Sequence, residues 1–309
     1  MRASAATAMR TITITTTIMT MTTATIITAT PIMTTDRLHL LRLQAWLSPS
    51  FPIGGFSYSH GLEQAAQWGW VHDRDTLIDW LETDLRHGAG RTDAILLAAA
   101  YRATLSLSVI PAHAGTQAGQ GLALSAAQSR TNFLSEQPVP TEPCEELGPR
   151  VRGDDEGILE VAELAAALRG TAELALESTM QGISFLSTLR KAWPHPALDR
   201  LHRLLAESDI APTFPVVVGA ACAAHGVPLP LALQFTLHAI VANYVSASLR
   251  LMKMGQTDGQ HAIAALEDAV METAAEALAA SLEDIGSASL SIDVASMRHE
   301  TQYSRIFRS

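Results

Sequence analysis

From residue 171 to residue 285 the apolar side chains return every three or four positions, segment after segment. Leu174, Ile183, Leu186 and Leu189 form one such stripe; Ile263, Leu266, Val270, Ala274, Leu278 and Leu282 form another. That interval matches the 3.6-residue turn of an α-helix and not the two-residue alternation of a strand. No credible alternating run occurs outside a Thr-rich stretch at the N-terminus. The apolar share is 48%, dominated by Ala and Leu with only 5% aromatics, so the core must be built from good helix formers. The fold class expected is all-α: one single-domain helical bundle of about eight to ten helices.

The punctuation divides that bundle. A first helix is expected over 36–47, closed by Pro49, Pro52, Gly54 and Gly55, and a second over 57–69. Asp73 is placed to cap a third helix carrying Leu77, Trp80, Leu81 and Leu85, and a fourth runs through Leu96 and Tyr101. Helices follow at 171–193, ended by Pro194, and at 197–206, 214–225 and 228–252. Thr257 and Gln260 have capping-box spacing and open a last long helix to about 285.

Two segments stand outside this pattern. Residues 1–35 are a Thr-rich leader, uncharged from residue 11 onward, expected to be disordered, with Met33 as an alternative start. It has neither the Leu-rich core of a signal peptide nor the composition of a membrane span. Residues 104–156 are rich in Gly, Pro, Ser and Gln and too long for a loop inside a compact domain. Their ends, Val109–Gly115 and Pro149–Asp155, are encodable by complementary strands of one DNA element, so the stretch is read as a disordered insert from an inverted repeat.

The formal charge of −10 argues against nucleic acid as a partner. Cys144 and Cys222 have no paired spacing, which implies neither a disulfide framework nor a zinc site and fits a cytoplasmic protein. The most apolar stretch, 229–251, contains Gln234, His238, Asn243 and Arg250 and reads as a buried helix, not a membrane span. Neither lysine, Lys191 nor Lys253, follows a glycine, so no phosphate-binding loop is present; a Gly-x-Ser-x-Gly elbow is also missing. His60 and Glu63, three apart on the expected second helix, have the spacing of a metal pair or of a surface pair. His225 and His238 read as core histidines. Ser57 with His60 lacks an orienting acid. The C-terminal segment 297–309 sets three arginines beside Tyr303, Ile306 and Phe307, a composition suited to docking.

Three segments resemble the urease accessory protein UreF family: Ser48–Glu63 (SPSFPIGGFSYSHGLE), Val245–Gln260 (VSASLRLMKMGQTDGQ) and Met297–Ser309 (MRHETQYSRIFRS). The likeness covers about 40–103 and 157–309. The resemblance implies an all-α homodimer that is not an enzyme and holds no cofactor of its own. It further implies that the chain bridges a UreD-type (UreH-type) accessory protein and the GTPase UreG on apo-urease while nickel is delivered. Under that resemblance the partner-binding residues are Phe51, Pro52, Gly54, Gly55, Phe56, Tyr58 and Glu63 in the first segment and Gln256 in the second. In the tail they are Arg298, Tyr303, Arg305, Phe307 and Arg308. The alternative is a metallochaperone that itself holds nickel through His60, Glu63 or His299.

Overall fold

A computed structural model describes residues 34–108 and 153–309. Most of the expected 1–35 leader (residues 1–33) and most of the expected insert (109–152, with Cys144) lie outside the described residues; Thr34 and Thr35, counted with the leader, begin α1. Those described form twelve α-helices, two 3-10 turns and no strand. The helices are α1 (Thr34–Trp46), α2 (Leu62–Gln67), α3 (Arg74–His87), α4 (Ala89–Ser108), α5 (Gly153–Ala167), α6 (Ala172–Ala192), α7 (Pro196–Glu207), α8 (Phe214–Ala224), α9 (Leu229–Leu251), α10 (Gln256–Ala265), α11 (Glu267–Ala279) and α12 (Leu290–His299). The boundaries drawn at 104 and 156 fall inside helices: α4 continues to Ser108 and α5 begins at Gly153.

The centre of the bundle is α8, whose residues from Pro215 to Ala223 are all buried. It lies across α4 so closely that a Cβ on Gly219 would stand 2.3 Å from the Leu97 carbonyl oxygen. Only glycine permits that approach of two helix backbones. Around this contact the main core gathers Trp46, Phe185, Leu62, Leu77, Leu81 and Leu97, each at most 1% exposed. Burying side chains of this size contributes roughly 1.5–3 kcal/mol apiece. A second cluster joins α4, α5 and α7 through Leu96, Ile158, Val161, Leu201 and Leu205.

Local rules set many of the ends. The Asp73 carboxylate accepts the Thr76 N–H at 2.9 Å and caps α3, as its position in the sequence predicted. Thr171 caps α6 by accepting from Leu174 N–H, and Arg190 and Lys191 occupy the last turn before Trp193 and Pro194. Two expectations fail locally. The helix expected over 57–69 starts only at Leu62, because His60 (φ 52°) and Gly61 (φ 78°) both adopt left-handed backbone. The helix expected over 257–285 is two, broken at Leu266, and it is capped at Gly255, whose N–H is taken by Asp258, not by Thr257. Helix α9 is long and apolar enough to cross a membrane. Its face through Leu233, Leu237, Val241, Tyr244 and Val245 is buried in the bundle. His238, expected in the core, is exposed at the edge of that face.

Candidate docking face

The Ser48–Glu63 segment folds as an anchored turn. Phe51 is buried against Phe185, ring centroids 5.0 Å apart, and against Trp193. Pro52 is exposed; Gly54 (φ 71°) takes the left-handed conformation that a side chain would resist. A 3-10 turn follows at Gly55–Ser57, held to α9 by Asn243 Nδ2 donating to the Gly55 carbonyl at 3.1 Å. That turn leaves Phe56 64% exposed while Tyr58 is buried. At Gly61 an added Cβ would meet Ser296 N at 2.6 Å, so the turn and α12 are in direct backbone contact.

That contact delivers the tail to the turn. His299, fully buried at the end of α12, has its Nδ1 2.7 Å from Glu173 and its Nε2 3.1 Å from Glu63. Glu63 also accepts two backbone N–H groups, from Ile306 at 2.7 Å and Phe307 at 2.9 Å. Arg305 pairs with Glu173. Arg308 N–H donates to the Ser57 carbonyl at 2.8 Å, and the Ser309 oxygen accepts from the N–H and hydroxyl of Ser59. The Phe307 ring is buried beneath the Arg250 guanidinium, 4.4 Å from the ring centroid. The tail is thus docked on its own chain by polar contacts along its length and one apolar anchor.

The outward side of the docked tail is different. Tyr303 is fully exposed, Ile306 is 67% exposed, and Arg298, Arg305 and Arg308 reach solvent. Phe56 is exposed beside the Ser57–Arg308 pairing. Of the residues assigned from sequence, Phe51, Tyr58, Glu63 and Phe307 therefore build the seat. Pro52, Phe56, Arg298, Tyr303, Arg305 and Arg308 face outward, while Gly54 and Gly55 shape the turn. Gln256 is exposed at the start of α10, which packs on α9 and α3.

His60 is not on a helical face with Glu63. Its Nε2 lies 2.9 Å from Glu177 in α6, and its ring lies 4.6 Å from that of Tyr244 in α9. Desolvation pulls the imidazole down, but the charge and hydrogen bond of Glu177, with Asp84 and Asp93, together hold it above its ordinary value. Burial pushes the Asp84 carboxyl up to about 6, against the pull of His60. Among the described residues no group of three or more His, Cys, Asp or Glu side chains is arranged to hold a metal ion. Glu173 and Glu177 escaped the sequence reading. Their four-residue spacing near the start of α6, opposite a tail rich in arginine, was the available signal.

A family model described as UreF matches residues 71–267. The chain is 43% identical over 281 residues to the urease accessory protein UreF of Rhodopseudomonas palustris strain TIE-1, covering 91% of this chain and 97% of that one. It belongs to the UreF family. The corresponding protein of Bradyrhizobium diazoefficiens is 40% identical over 270 residues, 87% of this chain and 91% of its own. The UreF model begins beyond the Ser48–Glu63 turn and ends before the tail, so the two segments of the docking face flank the matched region.

Proposed function

We propose that this UreF-family chain serves urease maturation as a non-catalytic scaffold, bridging a UreD-type (UreH-type) protein and a UreG-type GTPase while nickel passes to apo-urease. Nickel is cargo of the assembly, no resident cofactor is required, and the working form is a cytoplasmic homodimer. The family supports a role in urease maturation. The observation that carries the finer reading is the docked tail. It is held inward by Glu63, Glu173 and Ser59, and it turns Tyr303, Ile306 and arginines outward beside Phe56. Aromatic and arginine side chains on a pre-ordered frame are what a protein partner uses as anchors, because little ordering entropy is then lost on binding.

The test is deletion of residues 300–309, which removes the docked tail and leaves α12 with His299 whole. The truncated chain is expected to keep its helical circular dichroism and lose binding to the UreD-type protein. Undiminished binding would overturn the assignment of the tail as the UreD-facing surface.

A further inference from the structure

Glu177 is the point where the strained turn and the end of the tail meet. Its carboxylate is 3% exposed. One oxygen takes His60 Nε2 at 2.9 Å and Gln181 Nε2 at 2.7 Å; the other takes the Ser309 hydroxyl at 2.8 Å. Ser59, the residue before His60, grips the Ser309 oxygen through both its N–H and its hydroxyl. The tail end is therefore clasped between Glu177 and the neighbour of the residue that pairs with Glu177. His60 itself has φ 52°, a left-handed conformation that a non-glycine residue adopts only where surrounding contacts hold it.

We propose that the His60–Glu177 pair is a proton-operated clasp: the tail stays docked while His60 is charged and loosens when His60 loses its proton. The groups facing His60 come from four helices. They are Glu177 on α6, Asp84 on α3, Asp93 on α4 and the Tyr244 ring on α9, whose hydroxyl donates to Asp84 at 3.4 Å. Asp93 is already paired with Arg169, and Asp293 of α12 lines the same small cavity of about 140 Å³. Acids thus outnumber cations around the ring. Without the His60 charge, Glu177 is a buried carboxylate lacking a cationic partner, a costly state that displacement toward water relieves. Such a displacement breaks the Ser309 contact and frees the turn carrying Ser59. The raised His60 value fixes the sign: stabilisation of the docked state is complete below the ordinary histidine value of 6.5 and is lost as pH climbs through the higher folded value.

Amide hydrogen exchange of the full chain tests this, with rates corrected for intrinsic exchange, over pH 5.5–8.5. This measurement needs no partner protein, so its outcome is independent of the scaffold reading. Protection of peptides spanning 300–309 is expected to fall by up to about tenfold per pH unit through the titration, the limit for one linked proton, while α8 stays constant. His60→Asn, a residue that accepts left-handed backbone but carries no charge, is expected to show weak, pH-independent tail protection. Ser309→Ala leaves the His60–Glu177 pair and the Ser59 grip on the Ser309 backbone oxygen in place, removes the hydroxyl contact with Glu177, and is expected to reduce the pH slope below the wild-type one. A wild-type tail whose protection does not change with pH overturns the proposal, as does a wild-type slope retained in His60→Asn. Should His60→Asn lose protection in α8, Ser309→Ala decides: a wild-type slope in that variant overturns the clasp.

Discussion

The Glu63 carboxylate accepts the backbone N–H of Phe307 at 2.9 Å, across 244 residues of sequence. Glu63 opens α2, and Phe307 lies near the end of the tail. Their bond, with the Ile306 N–H on the other oxygen, makes the turn and the tail one structural unit. A buried carboxylate that accepts two main-chain N–H groups and faces an imidazole is a strong and demanding anchor.

That anchor responds sharply to a neutral isostere. Glu63→Gln leaves one carbonyl oxygen for two N–H donors and points an amide at a third. The expected loss is about 1–3 kcal/mol in thermal or denaturant unfolding. Faster amide exchange at Ile306 and Phe307 and weaker capture of the UreD-type protein are expected to accompany it. Unchanged exchange at those two amides would contradict the anchor.

Gly61 is the hinge of the same unit. Gly61→Ala must force a Cβ into the Ser296 backbone and into left-handed φ, a combined cost of about 2–4 kcal/mol. Chemical denaturation measures it. Gly69→Ala is the control: its φ is also positive, but open space surrounds its Cβ position, so its cost is expected to be about 1–2 kcal/mol.

The outward residues are expected to separate binding from stability. Phe56→Ala and Tyr303→Ala remove exposed rings, so unfolding should shift by no more than about 0.5 kcal/mol. Affinity for a partner should fall tenfold or more, about 1.4 kcal/mol, for whichever ring is an anchor. Titration calorimetry with each partner separates the two contributions.

His225 gives the fold an acid limit. Burial, the Arg42 charge and neighbouring His195 depress its imidazole to about 4. Its neutral form is therefore the one the fold accommodates. The stability this contributes is present above the unfolded value of about 6.5 and is lost as pH falls toward 4. The melting temperature of His225→Gln should depend less on pH over that range than that of the wild type.

Much of the architecture was legible because helical periodicity reports which face is buried. The stripe through Leu77, Trp80, Leu81 and Leu85 packs into the core. Of the stripe expected on α6, Leu186 and Leu189 are buried, Leu174 is half-buried and Ile183 is exposed, the buried face running instead through Gln181 and Phe185. The Asp73 cap was legible because capping is local. His60 was misplaced on a helix because its left-handed backbone is held by Glu177, more than a hundred residues away. The buried pairings of Glu173 and Glu177 were not legible for a related reason. Periodicity marks a residue as inward but does not name its partner, and here the partners lie in a tail with no period of its own. The tail's docking chemistry was visible in its composition; its first seat, on its own chain, was not.

The central claim is that this chain is a scaffold, and co-purification with the UreD-type and UreG-type proteins of the same cell tests it most directly, read by size-exclusion chromatography with light scattering. The account predicts a stable complex containing all three proteins and two copies of this chain. A folded, helical chain that elutes apart from both partners would contradict it.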